Sequence, residues 1–215
     1  MRWHKPDAAA APAQALALQA ASLLLGYPDD ELLAKVPALL AAAERLPAAG
    51  AEPLRRFTGH LQATPLQAVQ AAYTDTFDLR RRCCLYLTYF SHGDTRQRGM
   101  ALLRFSHAYR TAGAEFLGGE LPDHLAVVCE FAANTDLPLG LRLLNENRAA
   151  VELVRTALAE TGSPWTDALD LVRSVLPAAG PRDLDKALAL ARTGPPEEDV
   201  GLEPFGPPEL MGARR

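Results

Sequence analysis

The sequence predicts an all-α protein: a single globular bundle of about eight helices followed by an extended C-terminal tail. Three observations predict it. Among 215 residues there are 39 Ala and 36 Leu, the strongest apolar helix formers, against 9 Val and no Ile, so the β-branched residues of buried strands are nearly absent. Apolar residues recur three and four positions apart through most of the chain. Hydrophobic residues make up 48% and charged residues 22%, the profile of a soluble globule with one substantial core. The length suits one domain plus extensions, divided here into a helical domain over 8–192 and a proline-rich, acidic tail over 193–215.

The elements follow in order. Residues 13–25 place Leu16, Ala20, Leu23 and Leu24 on one face, and Gly26-Tyr27-Pro28 stops that helix. Asp29 or Asp30 caps a segment from Glu31 to about Leu46, which Pro37 divides into a short turn and a restart. A third helix covers about 52–62. Thr64-Pro65 is a cap followed by proline at the first helical position, with Leu66, Val69, Tyr73 and Phe77 behind it. Residues 78–94 are irregular: Arg80-Arg81-Arg82, an apolar run from Cys83 to Phe90, then the turn Ser91-His92-Gly93-Asp94. Asp94 or Thr95 opens a helix to about Ala112, ended by Gly113. A helix from Pro122 to Asn134 is apolar on more than one side and is expected to be central. Residues 140–161 read as one helix. Ser163-Pro164 repeats the cap-plus-proline pattern before the stripe Trp165, Ala168, Leu169, Val172 and Leu176, and a last helix covers about 182–192.

Several function classes fall away. No apolar stretch is long enough for a membrane span, and the N-terminal segment lacks the apolar core of an export signal, so a cytoplasmic protein that is not integral to the membrane is expected. Cys83, Cys84 and Cys129 are too few for a disulfide scaffold and lack zinc spacing. No phosphate-binding glycine loop and no nucleophile elbow occurs. No cofactor and no metal site is expected. Formal net charge is −4, which argues against a dedicated nucleic-acid binder. That charge is uneven, because residues 79–110 carry seven arginines and one aspartate between acidic flanks.

Two stretches hold chemistry. In the first, Asp78, Arg80, Arg81, Arg82, Tyr86, Tyr89, His92, Asp94, Arg96 and Arg98 combine arginine forks with aromatic faces, which suits carboxylates, phosphates or a partner's backbone. A solvated basic turn with tyrosines in the core explains the same residues equally well. Cys83 and Cys84 beside Arg82 could have lowered thiol pKa values, but packing in an apolar run is favoured. In the second, Glu120-Leu121-Pro122-Asp123-His124 opens the central helix. Helix capping is a sufficient explanation of its acids. A polar cluster held at a cleft is the sharper one, with His124 titrating near neutrality. A small α-helical acid–base enzyme using Asp123 and His124, or an arginine-rich helical nucleic-acid binder, are the alternatives.

Tyr73-Thr74-Asp75-Thr76-Phe77-Asp78, Leu85-Tyr86-Leu87-Thr88-Tyr89, the run His92 to Gly99 and Glu120 to Leu125 occur in that order and together resemble the nitrate reductase delta-subunit (NarJ) branch of the TorD/DmsD redox-enzyme maturation chaperones. Leu24 to Asp29 and Glu130 to Ala133 fit as well, and the resemblance spans roughly residues 15–175. The Glu-x-Pro-Asp-His pattern of the wider family stands intact at Glu120, Pro122, Asp123 and His124. The resemblance implies an all-helical, non-catalytic chaperone. Its partner would be the apo catalytic subunit of a respiratory nitrate reductase, chiefly its N-terminal segment, held for molybdenum cofactor insertion; cofactor biosynthesis proteins are further partners. The expected peptide site is a groove between residues 73–98 and the start of the 122–134 helix. Tyr73, Tyr86 and Tyr89 would give aromatic walls, and Arg80 to Arg82 and Arg96 would meet peptide carboxylates. Asp123 and His124 would anchor one end, with Asp78, Asp94 and Glu120 nearby.

Overall fold

Helix follows helix from Ala13 to Thr193. The computed structural model describes residues 13–116, 118–194 and 196. Among them are twelve α-helices: α1 Ala13–Leu25, α2 Asp30–Ala34, α3 Val36–Ala43, α4 Ala48–Ala63, α5 Leu66–Tyr73, α6 Tyr89–His92, α7 Arg96–Thr111, α8 Leu125–Asn134, α9 Leu137–Glu146, α10 Arg148–Glu160, α11 Trp165–Arg173 and α12 Pro181–Thr193. A π-helical turn, Thr74–Asp78, continues α5, and a 3-10 turn covers Arg81–Cys83. No strand forms among the described residues, and one isolated antiparallel bridge joins Tyr86 to His124. The expected start of the helical region at residue 8 and nearly all of the 193–215 tail lie outside the described residues.

The architecture is all-α as the composition requires, with more and shorter helices than the eight expected. Local chemistry accounts for the difference. Pro37 divides the second helix as anticipated, and Asp29 caps α2 by accepting the Leu32 amide at 2.8 Å. The single helix expected over 140–161 breaks at Asn147, whose side-chain amide donates to the Leu143 carbonyl at 2.8 Å. Both Ser/Thr-Pro pairs precede helices, but each helix begins one residue later than expected, after the proline. Thr64 Oγ1 turns back to His60 Nδ1 at 3.3 Å instead of capping α5.

The core is one contiguous cluster centred on α1, α8 and α11. Trp165 sits in it with its indole N–H donating to the Leu24 carbonyl at 3.1 Å. Phe57, Tyr73 and Phe77 present edges to the indole at centroid distances of 5.9, 5.6 and 5.4 Å. The expectation that the helix ending at Asn134 is central holds: Ala126, Val127, Val128, Cys129, Phe131 and Ala132 are all buried. Helices α8 and α9 approach so closely that a Cβ at Gly140 would overlap both the Cα and Cβ of Ala132. That close approach explains a glycine inside α9.

Beside the core, α10 and α11 share an ion network. Arg148 and Glu152 are both buried and pair at 2.7 Å, Arg148 also donates to the Pro177 carbonyl at 2.9 Å, and Arg173 reaches Glu152 at 3.0 Å. Asp170 receives Arg155 through two bonds of 3.0 and 3.1 Å and Arg173 at 3.0 Å. Burial works against its charge, but these arginine hydrogen bonds prevail and hold the carboxyl below its ordinary value.

Candidate functional site

The polar motif of residues 120–124 does not cap a helix. Helix α8 begins at Leu125, three residues later than the expected Pro122, and His124 is extended with no side-chain cap bond. Its neighbour is the segment 85–87. The Leu87 amide donates to the Asp123 carbonyl at 3.1 Å and the Leu125 amide to the Leu85 carbonyl at 2.8 Å, which makes the Tyr86–His124 bridge. Asp123 is fully buried and clamps this crossing: its Oδ2 accepts the Thr88 amide at 3.0 Å and the Thr88 hydroxyl at 2.6 Å. Tyr86 donates its phenol to Glu120 at 2.7 Å and sets its ring edgewise to His124 at 5.2 Å. Arg98 covers the rings of Tyr86 and Tyr89 at 5.4 and 5.6 Å and donates to Asp94 at 2.7 Å.

This crossing forms one wall of a cleft of about 680 Å³. Residues of α1, of α2 and its flanks, and of α5 with its π-turn line the rest of it. Apolar lining comes from Leu23, Leu32, Phe77, Leu85 and Ala126, with Tyr27 and Tyr73 edge to face at 5.4 Å. Five carboxylates line it, Asp29, Glu31, Asp78, Glu120 and Glu130, with His124 and with Lys35, which pairs with Glu31 at 3.3 Å. The cleft therefore combines apolar and aromatic side chains with an excess of carboxylates.

Of the twelve residues expected to bind a peptide, Tyr73, Asp78, Tyr86, Glu120 and His124 line this cleft. Asp123 lies behind the wall and supports it. Tyr89 and Asp94 are joined to it through Arg98, on the far side of Tyr86. The arginines fall elsewhere. Arg80 and Arg81 are exposed, Arg82 pairs with Glu160 of α10 at 3.2 Å, and Arg96 starts α7 at the surface. The expected rim of arginines around peptide carboxylates is replaced in the cleft by carboxylates, because the 3-10 turn carries Arg81 and Arg82 toward α10 and α12. Sequence reasoning also missed Tyr27, Asp29 and Lys35 as wall residues. The stretch Leu24 to Asp29 had been matched to the family, and that signal could have nominated Tyr27 and Asp29.

Electrostatics follow burial. Burial lowers the pKa of His124, and the nearby Glu120 and Asp123 oppose the shift without overcoming it. Its Nδ1 and the Asp123 Oδ1 are buried with no hydrogen-bond partner among the described residues. Burial raises the phenols of Tyr73 and Tyr86, the latter helped by its hydrogen bond to Glu120. The thiols of Cys83 and Cys84 are pushed up by burial despite Arg80 and Arg82 beside the first and Arg98 near the second, which corrects the idea of activated cysteines. No group of three or more His, Cys, Asp or Glu is placed to hold a metal ion among the described residues. No helix there is long and apolar enough to cross a membrane.

Comparison with known proteins identifies the family. A nitrate reductase-like protein, NarX, of Mycobacterium tuberculosis is 43% identical over 148 residues, 68% of this chain; the chain spans only 22% of that relative's length. A protein of Bacillus subtilis, described as the nitrate reductase molybdenum cofactor assembly chaperone NarJ, is 28% identical over 172 residues, 78% of this chain and 92% of its own. A crystal structure described as a redox enzyme maturation protein from Archaeoglobus fulgidus superposes with a TM-score of 0.55 at 25% identity, covering 75% of this chain and 93% of the other. The relatives named for a role are assembly chaperones rather than catalysts. The model of the nitrate reductase delta subunit family matches residues 43–170, more than half of the sequence and the whole span from Leu85 to Leu125, and the chain belongs to that family.

Proposed function

We propose that this chain is a dedicated cytoplasmic chaperone that binds the N-terminal segment of the apo catalytic subunit of a respiratory nitrate reductase. It holds the subunit until molybdenum cofactor is inserted and partner subunits join. Cofactor biosynthesis proteins act with it at that stage. The observation that carries this reading is the cleft itself: lined by apolar and aromatic side chains together with five carboxylates, among them Glu120, and by His124 of the same motif. Such a groove takes an amphipathic segment, whose apolar side chains enter while basic side chains meet Asp29, Asp78 and Glu120. Ordering a disordered segment on binding lowers net affinity, which suits a holder that must later release its client. Tyr73, Tyr86 and His124 act here as wall residues, and Asp123 as the clamp behind them.

Isothermal titration of the client's N-terminal peptide onto the full chain tests the reading. E120Q and D78N together are expected to weaken binding at least about fivefold, about 1 kcal/mol and the scale of solvent-exposed charge pairs, with the melting temperature unchanged. R81A with R82A should leave affinity within about twofold. The reverse pattern, with loss in the arginine variant and none in the carboxylate variant, would move the site to the basic turn and overturn the assignment.

A further inference from the structure

Helix α7 packs inward through Ala101, Phe105 and Tyr109 and turns a second face outward. Positions 96, 100, 103, 104, 107 and 110 share that outer side at about 100° per residue, and all six are exposed. Two of them are large apolar side chains, Met100 at 66% and Leu103 at 55% exposure. Arg96, Arg104 and Arg110 flank them, and Asp94, the one carboxylate in residues 79–110, is engaged by Arg98. The outer face of α7 is thus basic with an apolar centre.

The cleft is its complement in charge and in polarity. Asp29, Glu31, Asp78 and Glu120 line it and are all exposed, and Tyr27 stands among its apolar residues at 56% exposure. Such a surface takes a helix whose apolar side chains are flanked by cations, and α7 presents one. The two surfaces are neighbours on the molecule: Arg98 of α7 lies over the ring of Tyr86, and Tyr86 lines the cleft. Phe105 and Tyr109 are buried and hold α7 to its own core, so its outer face is turned away from the cleft beside it. A second copy can offer the same face without any element leaving its place.

We propose that two copies of this chain pair through these surfaces, the outer face of α7 of each lying in the cleft of the other about a two-fold axis. Met100 and Leu103 meet Tyr27 and the apolar lining, and Arg96, Arg104 and Arg110 meet Asp29, Asp78 and Glu120. The unloaded cleft is covered in this pair, and a client segment has to displace the other copy's helix. The pairing rests on the reading of the cleft as a groove for basic amphipathic segments.

Sedimentation of the full chain without any client peptide tests it over about 1 to 200 μM, a range in which mass action reveals a weak pair. The parent is expected to form a two-chain species. R104E with R110E, which alters exposed side chains alone, should raise the dissociation constant at least about tenfold, since symmetry places each reversed charge in the pair twice. D78K with E120K should do the same from the cleft side. An equimolar mixture of the two variants should pair again within about threefold of the parent, because one contact is then native and the other has both signs exchanged. Circular dichroism melting verifies that each variant is folded. A pair that neither variant weakens, or folded variants that fail to pair when mixed, would overturn the proposal. So would a parent that stays monomeric throughout; if that monomer floats with anionic phospholipid vesicles, the face of α7 belongs to a membrane surface instead. With no client peptide present, a monomeric parent sinks this pairing alone and leaves the client reading to its own titration.

Discussion

Glu152 is buried at 4% exposure and accepts both Arg148 and Arg173, so its removal leaves the buried Arg148 without a carboxylate and Arg173 with Asp170 alone at the α10–α11 junction. E152A is expected to cost about 3–5 kcal/mol, the range for breaking a buried pair by deleting one partner. For a chain of this size that is a melting-temperature drop of roughly 10 °C, read by calorimetry or circular dichroism. His124 provides a second test. Burial holds its pKa below the ordinary value of about 6.5. Below that pH the unfolded chain takes up a proton that the folded chain resists, so stability present above pH 6.5 is lost as the pH falls toward the depressed folded value. H124Q removes this linkage. Melting temperature between pH 7.5 and 5 should therefore fall less steeply in H124Q than in the parent, and parallel slopes would show that His124 carries none of the acid sensitivity. Glu152 carries no signal in the sequence, because its partner Arg173 lies 21 positions away, and His124 was expected to titrate near neutrality.

Between elements, two contacts decide how helices are placed. The Gly140–Ala132 approach sets the spacing of α8 and α9, and G140A would drive a methyl group into backbone. Overpacking of this kind costs about 1–3 kcal/mol, so G140A should lower the denaturation midpoint while a change at Gly59, where a Cβ meets nothing within 4 Å, should not. The sequence reading had placed Gly140 at the start of a helix and found nothing further in it, since close approach is a property of two helices. The crossing of residues 85–87 over 123–125 is the other contact. Period and punctuation had found both stretches and marked them as the polar centre of the chain. That reading assigned Asp123 to capping or to a partner. The structure instead spends its Oδ2 on Thr88, which lies 35 positions away in sequence, and so shifts the start of α8 to Leu125.

At the level of the molecule, one core cluster spans α1 to α12 and Trp165 lies inside it. Unfolding should therefore be a single cooperative event. In a W3F background, Trp165 fluorescence and far-ultraviolet circular dichroism are expected to show coincident midpoints; separated midpoints would mean that part of the bundle melts alone. What the sequence determined by itself was the class of fold and the family. Ala and Leu in quantity with no Ile leave helices as the only large-scale solution, and short polar motifs in fixed order carry a family's imprint regardless of how they pack. Most helix positions were legible for the same reason, because period and proline act within a few residues. Tertiary structure alone decided the charge of the cleft. The arginines of residues 80–82 and the carboxylates of Asp29, Asp78 and Glu120 are interleaved along the chain, and only the turn that carries those arginines toward α10 and α12 separates them in space. Local propensity has no term for which side of a bundle a short irregular turn will face; that is set by what packs beneath it, here the buried Cys83 and Leu85.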